Sequence, residues 1–283
     1  MVILRLSDLR DKLEMVTAGN SASLIALLDE TTIGAVLKEK FRFSSVPLNE
    51  AINNRIQELS KLSETTLRNQ LIKKISNSAG VLEPDTTPVS LFWMRSVVLA
   101  AYQSYGVDGN HLENDALVKE FVDRVFREFM ERVQASWEKL GASERQQIIS
   151  SWIQSLEKSD LTEEQRKEVA RAIGVDEISI DALKPAIVST FLISLLSMGI
   201  AGSGFAVYLA ATTLMHTVVT SLLGITLPFA AYTGLTSTMA LLINPVTAIA
   251  LVTGVVWQIG RKKNAELERQ LLALVLLQIA YMP

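Results

Sequence analysis

The sequence predicts an all-α protein, a soluble helical bundle followed by a C-terminal hydrophobic helical hairpin, and three observations predict it. Apolar residues over the first 184 positions recur every three or four residues, the period of an amphipathic helix, with few runs that resemble strands. Helix-capping residues and glycines punctuate that period. From Pro185 to Gly260 the chain then runs for 76 residues without Asp, Glu, Lys or Arg. A domain surface carries charges of both signs throughout, so this stretch is expected to leave water.

The charges divide the 283-residue chain at Lys184. Residues 1–184 hold 23 of the 27 basic and 28 of the 30 acidic side chains, a local balance of −5. A mildly acidic front half offers no basic face, which excludes nucleic acid as an expected partner. The absence of cysteine excludes disulfides, thiolate zinc sites and thiol catalysis. The opening MVILRLSDLRDKLEMV mixes charge with leucine at helical spacing and lacks the basic start, apolar centre and small-residue cleavage site of a secretory signal. The front half is therefore expected to stay on the side of the membrane where it is made.

Helices are predicted over 6–17, 22–41, 48–60, 64–77, 89–105, 112–140, 144–158 and 163–173. The stretch 79–88, AGVLEPDTTP, contains Gly80, Pro84 and Pro88 and reads as a linker between an N-terminal subdomain, 1–80, and a second one, 89–184. Within 89–105 the only charge is Arg95. Its 17 residues barely reach across a bilayer of about 30 Å, so a buried helix is expected. The helix over 112–140 carries Leu117, Phe121, Val125, Phe129, Val133 and Trp137 at four-residue intervals, a core-facing stripe. Its polar flanks offer Asp123/Arg127, Arg124/Glu128 and Glu128/Arg132 pairs, each worth only about 0.2–0.5 kcal/mol. Ser143-x-x-Gln146 and Thr162-x-x-Gln165 have capping-box spacing. Gly106, Gly141 and Gly174 stand where left-handed C-terminal caps are expected.

The charge-free segment, 185–260, would extend about 114 Å as one helix at ~1.5 Å per residue, so it must fold back on itself. Gly199, Gly202 and Gly204 weaken one helix, Gly224 and Pro228 interrupt the next, and Asn244-Pro245 breaks a third. The apolar units are 186–223, 229–243 and 246–260. Gly202, Ala206 and Ala210 form a small-xxx-small seam that lets helix backbones approach, within one chain or in a homo-oligomer. Arg261, Lys262 and Lys263 follow directly and, by the positive-inside tendency, stay cytoplasmic. With both flanks on one side, an even number of crossings is required, which a hairpin supplies. The closing stretch 261–283 reads as an amphipathic to apolar helix, too short to span, lying at an interface or docked on the hairpin.

Reaction chemistry is sparse. His111 and His216 are the only histidines. His111 reads as a solvated helix start rather than a metal ligand. His216, inside the charge-free segment, is the one candidate for a pH-responsive group, because only its neutral form is easily buried. Gly202-Ser203-Gly204 lacks the third glycine of a dinucleotide loop. No catalytic residue, cofactor or metal site is expected, and an enzyme is not.

Ala135-Ser136-Trp137-Glu138-Lys139-Leu140 followed by the helix at Ser143, the segment around Ile243-Asn244-Pro245-Val246, and Leu276-Leu277-Gln278-Ile279-Ala280-Tyr281 occur in an order that resembles the uncharacterised bacterial YaaW-like family. The resemblance covers about 112–283. It implies a helical front half and an apolar back half. Some members look similar to helical chaperones of respiratory-complex assembly.

Two functional expectations follow. The first is a protein of the cytoplasmic membrane, with the lipid bilayer as partner, that oligomerises through its hydrophobic segment and inserts as a pore or, more simply, serves as an anchor. The alternative is a soluble or peripheral helical assembly factor that hides the apolar block against its own core or a partner.

Overall fold

The computed structural model describes residues 5–30, 48–157, 161–198 and 264–280, together with Val207, Ala210, Ala211, Leu214 and Thr217. All regular structure among them is α-helical. The helices are α1 (Leu6–Glu14), α2 (Ala18–Glu30), α3 (Leu48–Leu59), α4 (Glu64–Ala79), α5 (Leu91–Gln103), α6 (Asn114–Lys139), α7 (Ala142–Glu157), α8 (Glu163–Ile173), α9 (Pro185–Met198) and α10 (Asn264–Ala280). Their contacts divide the chain into two compact units, with the division falling inside α6 after Val125.

The first unit contains α1 to α5, the start of α6, and α10. Leu6, Leu9 and Leu13 of α1 are buried on one face, and the Arg5 N–H donates to Asp8 Oδ2 at 2.9 Å, closing the first turn. Residues Ser21 to Leu27 of α2 are buried on all faces, as expected of a helix inside a bundle. Near the end of α2 the nearly buried Asp29 accepts from Arg55 Nε and Nη2 of α3, both at 3.0 Å, and pairs with Lys74 of α4. A carboxylate close to a helix C-terminus opposes the helix dipole; here two cations from neighbouring helices compensate it.

Helix α4 begins on Ser63, whose hydroxyl accepts the Thr66 N–H, and ends on Gly80 at φ +69°. The Val81 N–H reaches back to the Ser76 carbonyl at 3.0 Å, which occupies carbonyls the helix would otherwise leave open. Ser90 caps α5 in the same way as Ser63 caps α4, accepting from the Trp93 N–H. Arg95, the sole charge of that segment, donates to Asn114 Oδ1 and to the carbonyls of Asn110 and Leu112, fixing the loop that starts α6. A Cβ at Gly109 in this loop would stand 2.8 Å from both Leu117 Cδ1 and Tyr102 Cδ1, so a side chain there requires those neighbours to shift.

The second unit contains the rest of α6, then α7, α8 and α9, and the five described positions from Val207 to Thr217. Thr162 and Gln165 form the expected capping box: the Gln165 N–H donates to Thr162 Oγ1 at 3.2 Å and the Thr162 N–H to Gln165 Oε1 at 2.9 Å. Gly174, at φ +87°, ends α8. Gly141 is not the C-cap the sequence suggests. Its N–H donates to Glu144 Oε2 at 2.7 Å and its carbonyl accepts from the Arg145 N–H, so it opens α7 instead of closing α6. In place of the box expected at Ser143 and Gln146, the Glu144 carboxylate takes the Gly141 N–H, two residues toward the N-terminus, a charge-assisted bond that needs no side chain at the cap. Of the α6 stripe, Leu117, Phe121, Val125, Val133 and Trp137 are buried; the Phe129 side chain lies outside the described residues.

The expected membrane hairpin, its insertion or pore-forming activity, and placement in the cytoplasmic membrane are corrected by one finding. Among the described residues no helix is long and apolar enough to cross a membrane. The physical reason lies in where the apolar side chains point. Val188, Phe191 and Leu192 of α9, and Val207, Ala210, Ala211, Leu214 and Thr217 beyond it, are covered by protein. Helix α10 carries Glu268 and Arg269 in its first half and buries its apolar remainder among other helices. The interruptions at Gly224, Pro228, Asn244 and Pro245 lie outside the described residues.

Thr162→Ala removes one half of the box that opens α8. It is expected to cost about 1 kcal/mol, within the ~0.5–2 kcal/mol range of cap deletions, in urea unfolding followed by circular dichroism. Thr162→Ser is expected to lose a small fraction of that.

Candidate functional site

Two arrangements hold the apolar parts of the chain, one in each unit. In the second unit it is built from two tryptophans. Trp137, in the last turns of α6, is buried and donates its indole Nε1–H to Ser189 Oγ of α9 at 2.9 Å. The Ser189 hydroxyl in turn donates to the Pro185 carbonyl one turn earlier at 3.0 Å, so the hydroxyl both accepts and donates. Trp152 of α7 is fully buried and donates Nε1–H to the Ala210 carbonyl at 3.0 Å. Its ring stacks on Phe191 with centroids 5.9 Å apart and planes 22° from parallel.

The sequence places these groups by helix periodicity. Ile148, Ile149, Trp152, Ile153 and Leu156 fall on one face of α7 and are all buried. Val188, Phe191 and Leu192 do the same on α9, which meets α7 and α8. Arg145 locks the turn between α6 and α7. Its Nε and Nη2 donate to the Trp137 and Glu138 carbonyls at 3.1 and 2.9 Å, and its guanidinium lies 5.6 Å from the Trp137 ring centroid. Arg166 performs the corresponding task at the end of α7, donating to the Glu157 carbonyl at 3.1 Å.

In the first unit the apolar element is α10, whose residues Gln270 to Ala280 are all buried. It packs on α1, α2, α4 and α5. The sequence suggests an interface or the hairpin as its resting place; the N-terminal helices take that role. Lys12 of α1 donates from Nζ to the Ala280 carbonyl at 2.9 Å, a cation at a helix C-terminus. Burial pushes the Lys12 pKa down, and the Asp8 carboxylate raises it by less. Glu14 of the same helix accepts from the Val89 N–H at 2.8 Å, and Asp115 accepts from the Leu6 N–H at 3.2 Å, so α1 is tied to both α5 and α6 beside α10.

The chain matches no protein-family model, no curated protein and no solved structure.

Of the residues singled out in the sequence for the charge-free segment, the structure describes Ala210, buried beneath the Trp152 indole. Gly199, Gly202, Gly204, Ala206, His216, Gly224, Pro228, Asn244, Pro245, Arg261, Lys262 and Lys263 lie outside the described residues. His111 is exposed in the loop before α6. Among the described residues no group of histidines and carboxylates is placed to hold a metal ion. Trp152, Ser189, Arg145 and Lys12 escape a reading by motif. The available signal is an indole on the apolar face of a short amphipathic helix, since a buried Trp N–H requires an acceptor.

Trp152→Phe keeps the stacked ring but removes the donor to Ala210. The expected loss is about 0.5–1.5 kcal/mol, the net contribution of one hydrogen bond, and Trp152→Ala is expected to lose about 3–5 kcal/mol through the added cavity. Urea unfolding monitored by circular dichroism measures both.

The depressed Lys12 pKa sets a pH dependence. Between the lowered folded value and the ordinary lysine value, the unfolded chain binds a proton that the folded chain has released, so stability rises with pH across that alkaline window. Below the folded value both states are protonated and the contribution is flat. The stability difference between wild type and Lys12→Met, followed by urea titrations from neutral pH upward, is expected to shift in favour of wild type through that window and to stay constant below it.

Proposed function

We propose that the chain is a helical binding protein of the assembly-factor kind, in which the charge-free segment is covered by the protein's own helices. The observation that carries this reading is the seat of that segment in the second unit. Trp152 sends its only polar hydrogen to the Ala210 backbone, and every described side chain from Val207 to Thr217 is buried. A lipid-facing helix would keep its backbone bonds internal and show its side chains to the surroundings. Here the side chains are taken up by protein, and an indole from another helix reads the backbone.

A helical scaffold that covers apolar surface with its own helices suits holding and release. The resemblance to the YaaW-like family, some members of which look similar to helical chaperones of respiratory-complex assembly, points the same way.

The full chain purified without detergent is expected to be monodisperse by light scattering. It is also expected to stay out of the floated fraction with vesicles of mixed phosphatidylcholine and phosphatidylglycerol. Dependence on detergent for monodispersity, or quantitative flotation with the vesicles, overturns this reading.

A further inference from the structure

The surface at the start of α5 carries large apolar side chains where a helical bundle ordinarily shows polar ones. Leu82 is 90% exposed, Phe92 81% and Met15 69%, and Leu91 is exposed next to Phe92. Apolar residues scattered singly over a surface need no explanation. These are drawn to the same turn by hydrogen bonds from both sides. The buried Trp93 donates Nε1–H to the Leu82 carbonyl at 3.0 Å, which fastens the segment before α5 to the helix start. Glu14, the residue before Met15, accepts the Val89 N–H at 2.8 Å and brings the end of α1 to the same place. Ser90 caps the turn, and Pro84 and Pro88 narrow the freedom of the backbone leading into it. Phe92 and Leu82 take no part in the core, so packing within the unit does not account for their size. The patch is held in shape before any partner arrives, and little ordering cost then opposes binding.

The charges around the patch decide its occupant. From Ile75 to Met94 the only charged residues are Glu83 and Asp85, and the end of α1 adds Asp11 and Glu14. Glu83 pairs with Lys73 and Asp11 with Arg10, while Lys12 is turned to the Ala280 carbonyl. Among the described residues no cation pairs with Asp85 or Glu14. The rim is therefore acidic. A second copy would bring the same acidic rim against it, and an anionic lipid surface would be repelled in the same way. Lysine or arginine beside an apolar stripe would be attracted.

We propose that Met15, Leu82, Leu91 and Phe92 form a docking surface for a protein partner, and that the partner presents a basic amphipathic segment to it. This rests on the binding-protein reading above and names the surface and the chemistry of the partner. Phe92 is the anchor, because a few large side chains at the centre of an interface carry most of its binding free energy. Asp85 and Glu14 steer the approach and make it sensitive to salt.

The test uses the full chain and a fluorescently labelled helical peptide with leucine along one face and lysine along the other, read by anisotropy. Wild type is expected to bind it saturably and more weakly as salt is added. It is expected to ignore the same peptide with glutamate in place of lysine, and a peptide of equal composition whose leucines are scattered around the helix. Phe92→Ser and Leu82→Ser are each expected to weaken binding at least about tenfold, and Asp85→Lys about threefold, with urea unfolding little changed because these side chains are exposed. Leu62→Ser, at the other end of α4, must leave binding as it is. Equal binding by the glutamate or scattered peptide, or a loss no greater in Phe92→Ser than in Leu62→Ser, overturns the proposal. So does flotation with phosphatidylcholine and phosphatidylglycerol vesicles, or a doubling of mass, that Phe92→Ser abolishes, since the patch would then belong to a bilayer or a second copy. A chain that is monodisperse without detergent but does not bind the lysine peptide saturably sinks this inference and leaves the binding-protein reading standing.

Discussion

The docking of the last described helix among the first ones is the contact on which the first unit depends. Helix α10 is buried from Gln270 to Ala280 and touches α1, α2, α4 and α5, so the bundle built by the N-terminal residues has no complete core until the far end of the chain arrives. Closing so long a loop costs free energy that grows only with the logarithm of its length. The apolar area gained scales with the surface removed from water, roughly 25 cal/mol per Å², and is indifferent to sequence distance. Kinetics are less forgiving than thermodynamics. Contacts of high sequence separation form late, which leaves the partly covered N-terminal helices waiting for α10 during folding.

Apolar contact is non-directional, so it does not by itself fix which turn of one helix meets which turn of another. Directional bonds supply the register. Trp137 marks Ser189, Trp152 marks Ala210, and Lys12 marks Ala280, each by a single donor from a neighbouring element. Arg145 and Arg166 act at the corners, where the carbonyls at a helix end have no partners within the helix. A few polar handles on an otherwise apolar framework distinguish one packing from many similar ones.

The helical periods were legible over most of the front half because local signals sufficed there. Thr162 and Gln165 are three residues apart and need nothing else to form their box, and Gly174 needs only its own backbone. Gly141 was misleading because a glycine between two helices serves either neighbour, and the nearby Glu144 carboxylate decided the matter. The Trp152 seat was not legible. Its two partners, Phe191 and Ala210, stand on later parts of the chain, and nothing in local spacing brings them together. The slot for α10 was hidden for the same reason: hydropathy identifies LLALVLLQIA as water-avoiding and is silent on which helices will surround it.

A run without charge specifies avoidance of water, and two environments satisfy that demand, lipid and protein interior. They differ in what they offer a polar atom. Hydrocarbon offers nothing, so hydroxyls in a spanning helix turn back on their own backbone, as Ser189 and Thr190 do toward Pro185 and Ala186. A protein interior can also send a donor across from another helix. Ser189 receives the Trp137 indole in addition to its own backbone bond, and Ala210 receives the Trp152 indole. Those cross-helix donors, more than the length of the apolar run, separate a segment packed by protein from one solvated by lipid. They also explain why composition alone does not tell the two environments apart at Ser189 and Ala210: it counts the charges that are missing and cannot see the two indole N–H groups supplied from α6 and α7.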